Sequence, residues 1–97
     1  MKYTVYQLPI ENDLSYMNFE FATNHGGVHI ENYKKVYTGN LDTDTLDTNF
    51  ILDKLYTICN LNIPEGYEGH SMSVSDIVEI ENLGTYFCDS IGWKRIA

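Results

Sequence analysis

A base, three hydroxyls and a carboxylate crowd into Gly69-His70-Ser71-Met72-Ser73-Val74-Ser75-Asp76. These are the groups that acyl transfer by an activated serine uses. The spacing speaks against that chemistry. Serines at alternate positions of an extended segment all face one way, and nothing here supplies the sharp strand-to-helix turn that lifts a nucleophile out of a sheet. A structural role fits better: Gly69, His70, the hydroxyls of Ser71, Ser73 and Ser75, and Asp76 tie the beginning of a central strand to the loop before it. No catalytic residue is assigned, and no enzymatic activity is expected.

His25, His29, Cys59 and Cys88 are residue types that hold Zn²⁺, which takes four nitrogen or sulfur ligands. The two cysteines lie on separate elements, however, and the paired C-x-x-C spacing of zinc sites is missing. Cys59 falls on an apolar stripe and reads as core. No metal or other cofactor is expected, and two thiols are too few for the disulfide framework of small secreted scaffolds. Trp93, next to Lys94 and Arg95 and preceded by Tyr86 and Phe87, has two readings: an anchor at an interface, where Trp, Tyr and Arg concentrate binding energy, or a lid on the core from the last strand.

Charge narrows the function classes further. The 97 residues include 14 Asp or Glu and 6 Lys or Arg, for a net charge of −8. Between Val36 and Trp93 one base, Lys54, stands against ten carboxylates. Neutralising phosphates takes a Lys/Arg face, so direct binding to nucleic acid is not expected. An acidic surface either meets a basic groove or simply keeps a small protein in solution. Asp42, Asp44, Asp47, Glu65, Glu68, Glu79 and Glu81 are the candidate contacts for a partner, with Trp93 as the candidate anchor.

Positioning these groups requires one domain, since a chain this short buries roughly 65% of its extended surface and has material for one core. No apolar run approaches the ~20 residues of a membrane span, and no basic region leading into an apolar stretch follows Met1. Residues Lys2 to Leu8 read as a strand ended by Pro9, because Tyr3 and Val5 alternate with Thr4 and Tyr6. Around Met17 to Phe21 either a short strand or one helical turn is open, before the loop chemistry of Asn24-His25-Gly26-Gly27. Tyr33 to Thr38 is a further strand.

Ile51, Leu52, Leu55, Ile58 and Cys59 recur at helical spacing behind capping residues in 42–48, which predicts the principal helix over about 47–60. Met72, Val74, Val78 and Ile80 alternate with Ser71, Ser73, Ser75, Glu79 and Glu81, which predicts a strand over 71–81. Turns at Asn82-Leu83-Gly84 and Ser90-Ile91-Gly92 then lead into strands Thr85 to Asp89 and Trp93 to Ile96. The expected architecture is α+β: an antiparallel sheet of four or five strands with one principal helix packed on it.

Three stretches carry a resemblance. The opening Tyr3-Thr4-Val5-Tyr6-Gln7-Leu8, the middle Asn32-Tyr33 through Val36-Tyr37-Thr38-Gly39, and above all Gly69 to Val78 followed by Tyr86 to Trp93 resemble the YodL-like domain. The likeness runs in order over nearly the whole chain and is weakest over residues 9–31. It departs at Cys88, Trp93, Lys94 and Arg95, where the family more often shows an aliphatic, a Phe and acidic or neutral residues. The resemblance implies a single YodL-like domain over 1–97 and a setting in plasmids, conjugative elements and phage-related genes of Firmicutes, beside antirestriction or DNA-processing modules. It implies no particular reaction.

A stand-alone small acidic member of such a family resembles anti-defence proteins, anti-CRISPR and antirestriction inhibitors among them. That likeness implies a non-enzymatic inhibitor in the cytoplasm of a bacterial host. Its protein partner would be a CRISPR effector or other defence nuclease, held by its basic nucleic-acid-handling surface. The alternative is a passive structural or docking module from a mobile-element polyprotein.

Overall fold

The computed structural model describes residues 1–97. Its strands are β1 (Lys2–Gln7), β2 (Lys34–Asn40), β3 (Ile77–Ile80), β4 (Gly84–Cys88) and β5 (Trp93–Arg95), and its helices are α1 (Phe19–Asn24) and α2 (Thr48–Leu61). The strands form one sheet in the order β2-β1-β3-β4-β5, with every neighbouring pair antiparallel. The α+β expectation of a four- or five-stranded antiparallel sheet with one principal helix therefore holds. No helix is long and apolar enough to cross a membrane.

Register puts the β-formers where a core needs them. Tyr3 pairs with Ile80, Val5 with Val78, and Val78 with Tyr86, so these five side chains share one face of the sheet. α2 covers that face with Ile51, Leu52, Leu55 and Cys59, and Val36, Leu41 and Met72 complete the main core. The helix starts where Asp47 caps it, its carboxylate accepting from the N–H groups of Asn49 and Phe50, and two otherwise orphaned donors are satisfied. One irregularity serves this core. Between the pairs Val5–Tyr37 and Tyr6–Lys35, β2 carries an extra residue, Val36, and the resulting bulge turns Val36 into the core.

The opposite face is divided. At one end Ile77, Phe87, Leu8 and Ala22 are buried, with Phe19 of α1 set edge-on to Phe87 at 5.4 Å, a second and smaller core. At the other end Thr4, Thr38, Glu79 and Thr85 line an open polar hollow of about 560 Å³, rimmed by Lys2, Lys35 and Glu81. Antiparallel sheets tolerate such a bare face because alternation makes it polar.

Two expectations are corrected or resolved. The strand predicted over 71–81 begins only at Ile77; residues 71–76 fold as turns, and Ser75 has φ +85°. The cause is Asp76, whose side chain and backbone draw this segment into a knot described below. The open choice around Met17 to Phe21 resolves as the short helix α1, capped by Asn18, whose side chain accepts from the Phe21 N–H.

Leu55 is fully buried while Asp53 is exposed. Leu55→Asp should therefore leave the chain largely unfolded, because an unpaired buried charge costs several kcal/mol against a total stability of about 5–15 kcal/mol. Asp53→Ala should melt within a few degrees of the parent, as thermal denaturation followed by circular dichroism will show.

Candidate functional site

The Gly69–Asp76 block is wrapped around one side chain that the sequence patterning did not single out, Gln7. Following Tyr3 and Val5, Gln7 occupies the third inward position of β1 and is buried. Its Nε2 lies within donating distance of Asp76 Oδ2 at 2.9 Å, the His70 carbonyl at 2.8 Å and the Tyr67 hydroxyl at 3.1 Å, and its Oε1 accepts from the His70 N–H at 3.1 Å. Gly69 is what permits this approach: a Cβ there would collide with Gln7 Oε1 and lie 3.0 Å from Val36 Cγ1. A polar residue at an inward strand position was the available signal for Gln7, since such a side chain must find buried partners.

Further threads lace the block to its surroundings. The Tyr33 hydroxyl donates to the Ser75 carbonyl at 2.7 Å, and the Tyr16 N–H donates to Ser75 Oγ at 2.9 Å. The Ser75 N–H donates to the Cys88 carbonyl, and the Cys88 N–H to the Asp76 carbonyl. Tyr16 also packs against the His70 ring at 5.1 Å between centroids. The block thus joins β1, β4 and the 9–33 segment.

Asp76 is 1% exposed, and no Lys or Arg pairs with it. Its Oδ2 accepts from Gln7 Nε2 and from the Ser73 N–H at 2.8 Å. Burial pushes its carboxyl up from 3.8 to about 7, against the opposing pull of those two donors and of His70. Burial and the charge of Asp76 also push the thiols of Cys59 and Cys88 up to about 11 and about 12. At neutral pH both are therefore protonated, the form that neither attacks nor ligates.

The serine, histidine and cysteine groups are placed as follows. His70 Nδ1 faces the Ser71 carbonyl at 2.7 Å, and Ser73 Oγ donates to that same carbonyl at 3.0 Å, so base and hydroxyl meet backbone rather than each other. His25 Nδ1 and His29 Nε2 likewise meet the carbonyls of Phe21 and Gly26 on an exposed segment, whereas both cysteines are buried. Those four residues are not brought together, and no three metal-ligating side chains anywhere converge.

The seven candidate carboxylates fall into three groups, all exposed. Asp42 and Asp44 point outward from the extended link that follows β2, with Asp47 at the head of α2. Glu65 and Glu68 follow the far end of α2, roughly 20 Å away by helical rise, and the Glu68 N–H holds that loop beside β2 through the Val36 carbonyl. Glu79 and Glu81 belong to the other face of the sheet; both line the polar hollow with Lys2 and Lys35, and Glu79 receives a long hydrogen bond of 3.4 Å from the Tyr6 hydroxyl. Trp93 sits on β5, at the opposite edge of the sheet from β2, half-buried against the main core. The acidic residues fall in separate places, and Trp93 is on the edge strand opposite β2, the strand that Asp42 and Asp44 follow.

Fold and knot together define a class: a small α+β domain whose central strand is locked by a buried amide to a glycine-led loop. The chain belongs to the YodL-like domain family, whose sequence profile matches residues 2–97. No curated protein and no solved structure matches it.

Two outcomes follow from the knot. Gly69→Ala should destabilise the fold by about 1–3 kcal/mol through overpacking against Gln7, while Ser71→Ala at an exposed neighbour should be near neutral, as denaturant titration will report. Asp76 should impose a pH slope. Its carboxyl is raised on folding, so its contribution is full below about pH 4 and is lost as pH rises through about 7. Between pH 5 and pH 8 stability should fall by about 1–3 kcal/mol, and Asp76→Asn should flatten that fall.

Proposed function

We propose that this protein is a non-enzymatic inhibitor that occupies the basic, nucleic-acid-handling surface of a defence protein, with a CRISPR effector nuclease as the partner class to test first. One observation carries the reading. Asp42, Asp44, Asp47, Glu65, Glu68, Glu79 and Glu81 are all exposed, and none is ion-paired to a Lys or Arg, the sole close pair being His29 with Glu31 at 3.5 Å. Apart from the Asp47 cap on α2 and the Tyr6 hydroxyl on Glu79, these carboxylates face solvent and no basic side chain neutralises them. Such a field steers a basic partner into contact and raises the association rate.

The distribution of the charges favours occupancy over imitation of a duplex. B-DNA presents one charge per about 1.7 Å of axis in continuous rows, whereas two of the carboxylate groups here lie at opposite ends of α2 and the third lies on the other sheet face. Patches of this kind suit a protein surface with separated basic clusters. The mobile-element setting that the family resemblance implies supports the same partner class.

The test is inhibition of DNA cleavage by the host's CRISPR effector, with the purified full chain, at 0.1 M and 0.5 M salt. Inhibition should weaken at the higher salt, since the screening length falls from about 10 Å at 0.1 M toward 3 Å at 1 M. Asp42→Asn with Asp44→Asn and Asp47→Asn should weaken it about tenfold or more at unchanged melting temperature, because Asn still caps α2. Glu65→Gln with Glu68→Gln should act in the same direction, and free duplex DNA should show no binding. Absence of binding to any nuclease complex of the host, or inhibition indifferent to both salt and these substitutions, overturns the proposal. Binding without inhibition would identify a docking module instead.

A further inference from the structure

The outer side of α2 is unlike the rest of the surface. Phe50, Lys54, Thr57 and Leu61 recur at intervals of four, three and four, a stripe on the side of the helix turned away from the buried Ile51, Leu52, Leu55 and Cys59. Phe50 is 52% exposed and Leu61 77%, and Leu46 and Ile63, just beyond the two helix ends, are 71% and 49% exposed. A single exposed apolar residue is ordinary, but two on one stripe with two more at the helix flanks concentrate exposed apolar surface along this element, and such concentrations mark interaction sites. We propose that this ridge is a homodimer surface, on which a second copy of the chain packs its own α2 antiparallel about a two-fold axis.

Three features select a second copy as the occupant. First, the stripe reads the same in both directions. With the axis midway between Lys54 and Thr57, Phe50 faces Leu61 of the second copy and Lys54 faces its Thr57, so the large apolar groups meet at both ends and a small residue receives the lysine stem in the middle. An isologous interface demands this self-complementarity. Second, the ridge carries no carboxylate within a chain of net charge −8: its one charge is Lys54, and Asp53 lies beside it on the helix. The Lys54 ammonium sits over the Phe50 ring, 6.0 Å from its centroid, at the outer reach of a cation–π contact, so its stem must swing toward Thr57 of the second copy as Leu61 takes its place. A basic partner is drawn to the carboxylates beyond the helix ends rather than to this strip. Third, the size fits: the four apolar residues expose on the order of 500 Å² per copy, so a pair removes on the order of 1,000 Å², the lower bound for a specific interface.

The same geometry fixes how the dimer responds to salt. Reversing the helix brings Asp44 and Asp47 of one copy toward Glu65 of the other, a like-charge approach at each end. Salt screens it, with a screening length near 8 Å at 0.15 M, while apolar burial persists. The dimer therefore tightens as salt rises, opposite in sign to the complex with a basic partner, so failure of one proposal is distinguishable from failure of the other.

Sedimentation equilibrium of the full chain from about 1 µM to 1 mM, at 0.15 M and 0.5 M salt, tests the inference. A reversible dimer is expected, stronger at the higher salt. Phe50→Asp and Leu61→Asp should each weaken it at least thirtyfold, with the melting temperature of the monomer unchanged, and Thr23→Asp on α1 should leave it intact. Direction is read by oxidative cross-linking. Phe50 and Leu61 are about 16 Å apart along the helix, so Phe50→Cys alone should give little disulfide-linked dimer, and Phe50→Cys combined with Leu61→Cys should give it readily. A monomer at every concentration, or a dimer indifferent to both Asp substitutions, overturns the proposal. Efficient cross-linking through Phe50→Cys alone overturns the antiparallel arrangement.

Discussion

A buried amide and a buried carboxylate hold the two halves of this chain in register. Gln7 and Asp76 lie 69 residues apart and meet at 2.9 Å in the interior. Neither tolerates being left alone, because an unsatisfied polar group in a low-dielectric interior costs more than a made hydrogen bond returns. β1 lies between β2 and β3, so its position sets the pairing on both sides. A slip by one residue would turn Gln7 to the outer face, strand Asp76 and the His70 backbone, and expose Tyr3 and Val5. Hydrophobic alternation and polar pairing thus demand the same register.

The glycine-led loop is the consequence. For Asp76 to reach Gln7, the chain before β3 must turn back on itself, which it does through the Ser73 N–H on the carboxylate and a positive φ at Ser75. Tyr33 and Tyr16 hold that turn from the outer side, and the segment 9–33, which has little regular structure of its own, is organised by what it ties down. The side chains of His70, Ser73 and Ser75 all meet backbone groups of this tight, half-buried loop and its neighbours.

Legibility in the sequence followed the physics of each element. α2 was readable because its stripe is decided by helical period and its start by the Asp47 cap, both local. β1, β2, β4 and β5 were readable from β-formers between turn residues. The segment 71–76 reads as strand because Met72 and Val74 alternate with serines; tertiary polar contacts from Asp76 override that local pattern, and no period reveals them. Val36 is inward through a bulge, and α1 is a helix of six residues whose one clear signal is Asn18 three residues before Phe21. The acidic residues were visible as composition, but their division among three places depends on sheet topology, which charge counting does not contain.

The surface that remains combines two kinds of interaction with different reach. In the proposed interactions the carboxylates flanking α2 and on the open face would act over roughly a screening length and set which molecules approach and how fast. The apolar ridge between the flanking groups would act only on contact and set how long an encounter lasts, because affinity within related complexes is set chiefly by dissociation. Placing an apolar strip between acidic ends separates these roles on one helix. Under the two proposals a molecule of like charge would be held off at long range and retained only where its own apolar strip matches, and a basic molecule would be drawn in at the helix ends without needing the strip. Lys54 is the residue on which the separation depends: as the one base between Val36 and Trp93, it sits on the ridge beside Asp53 and keeps net negative charge off the strip between the acidic ends.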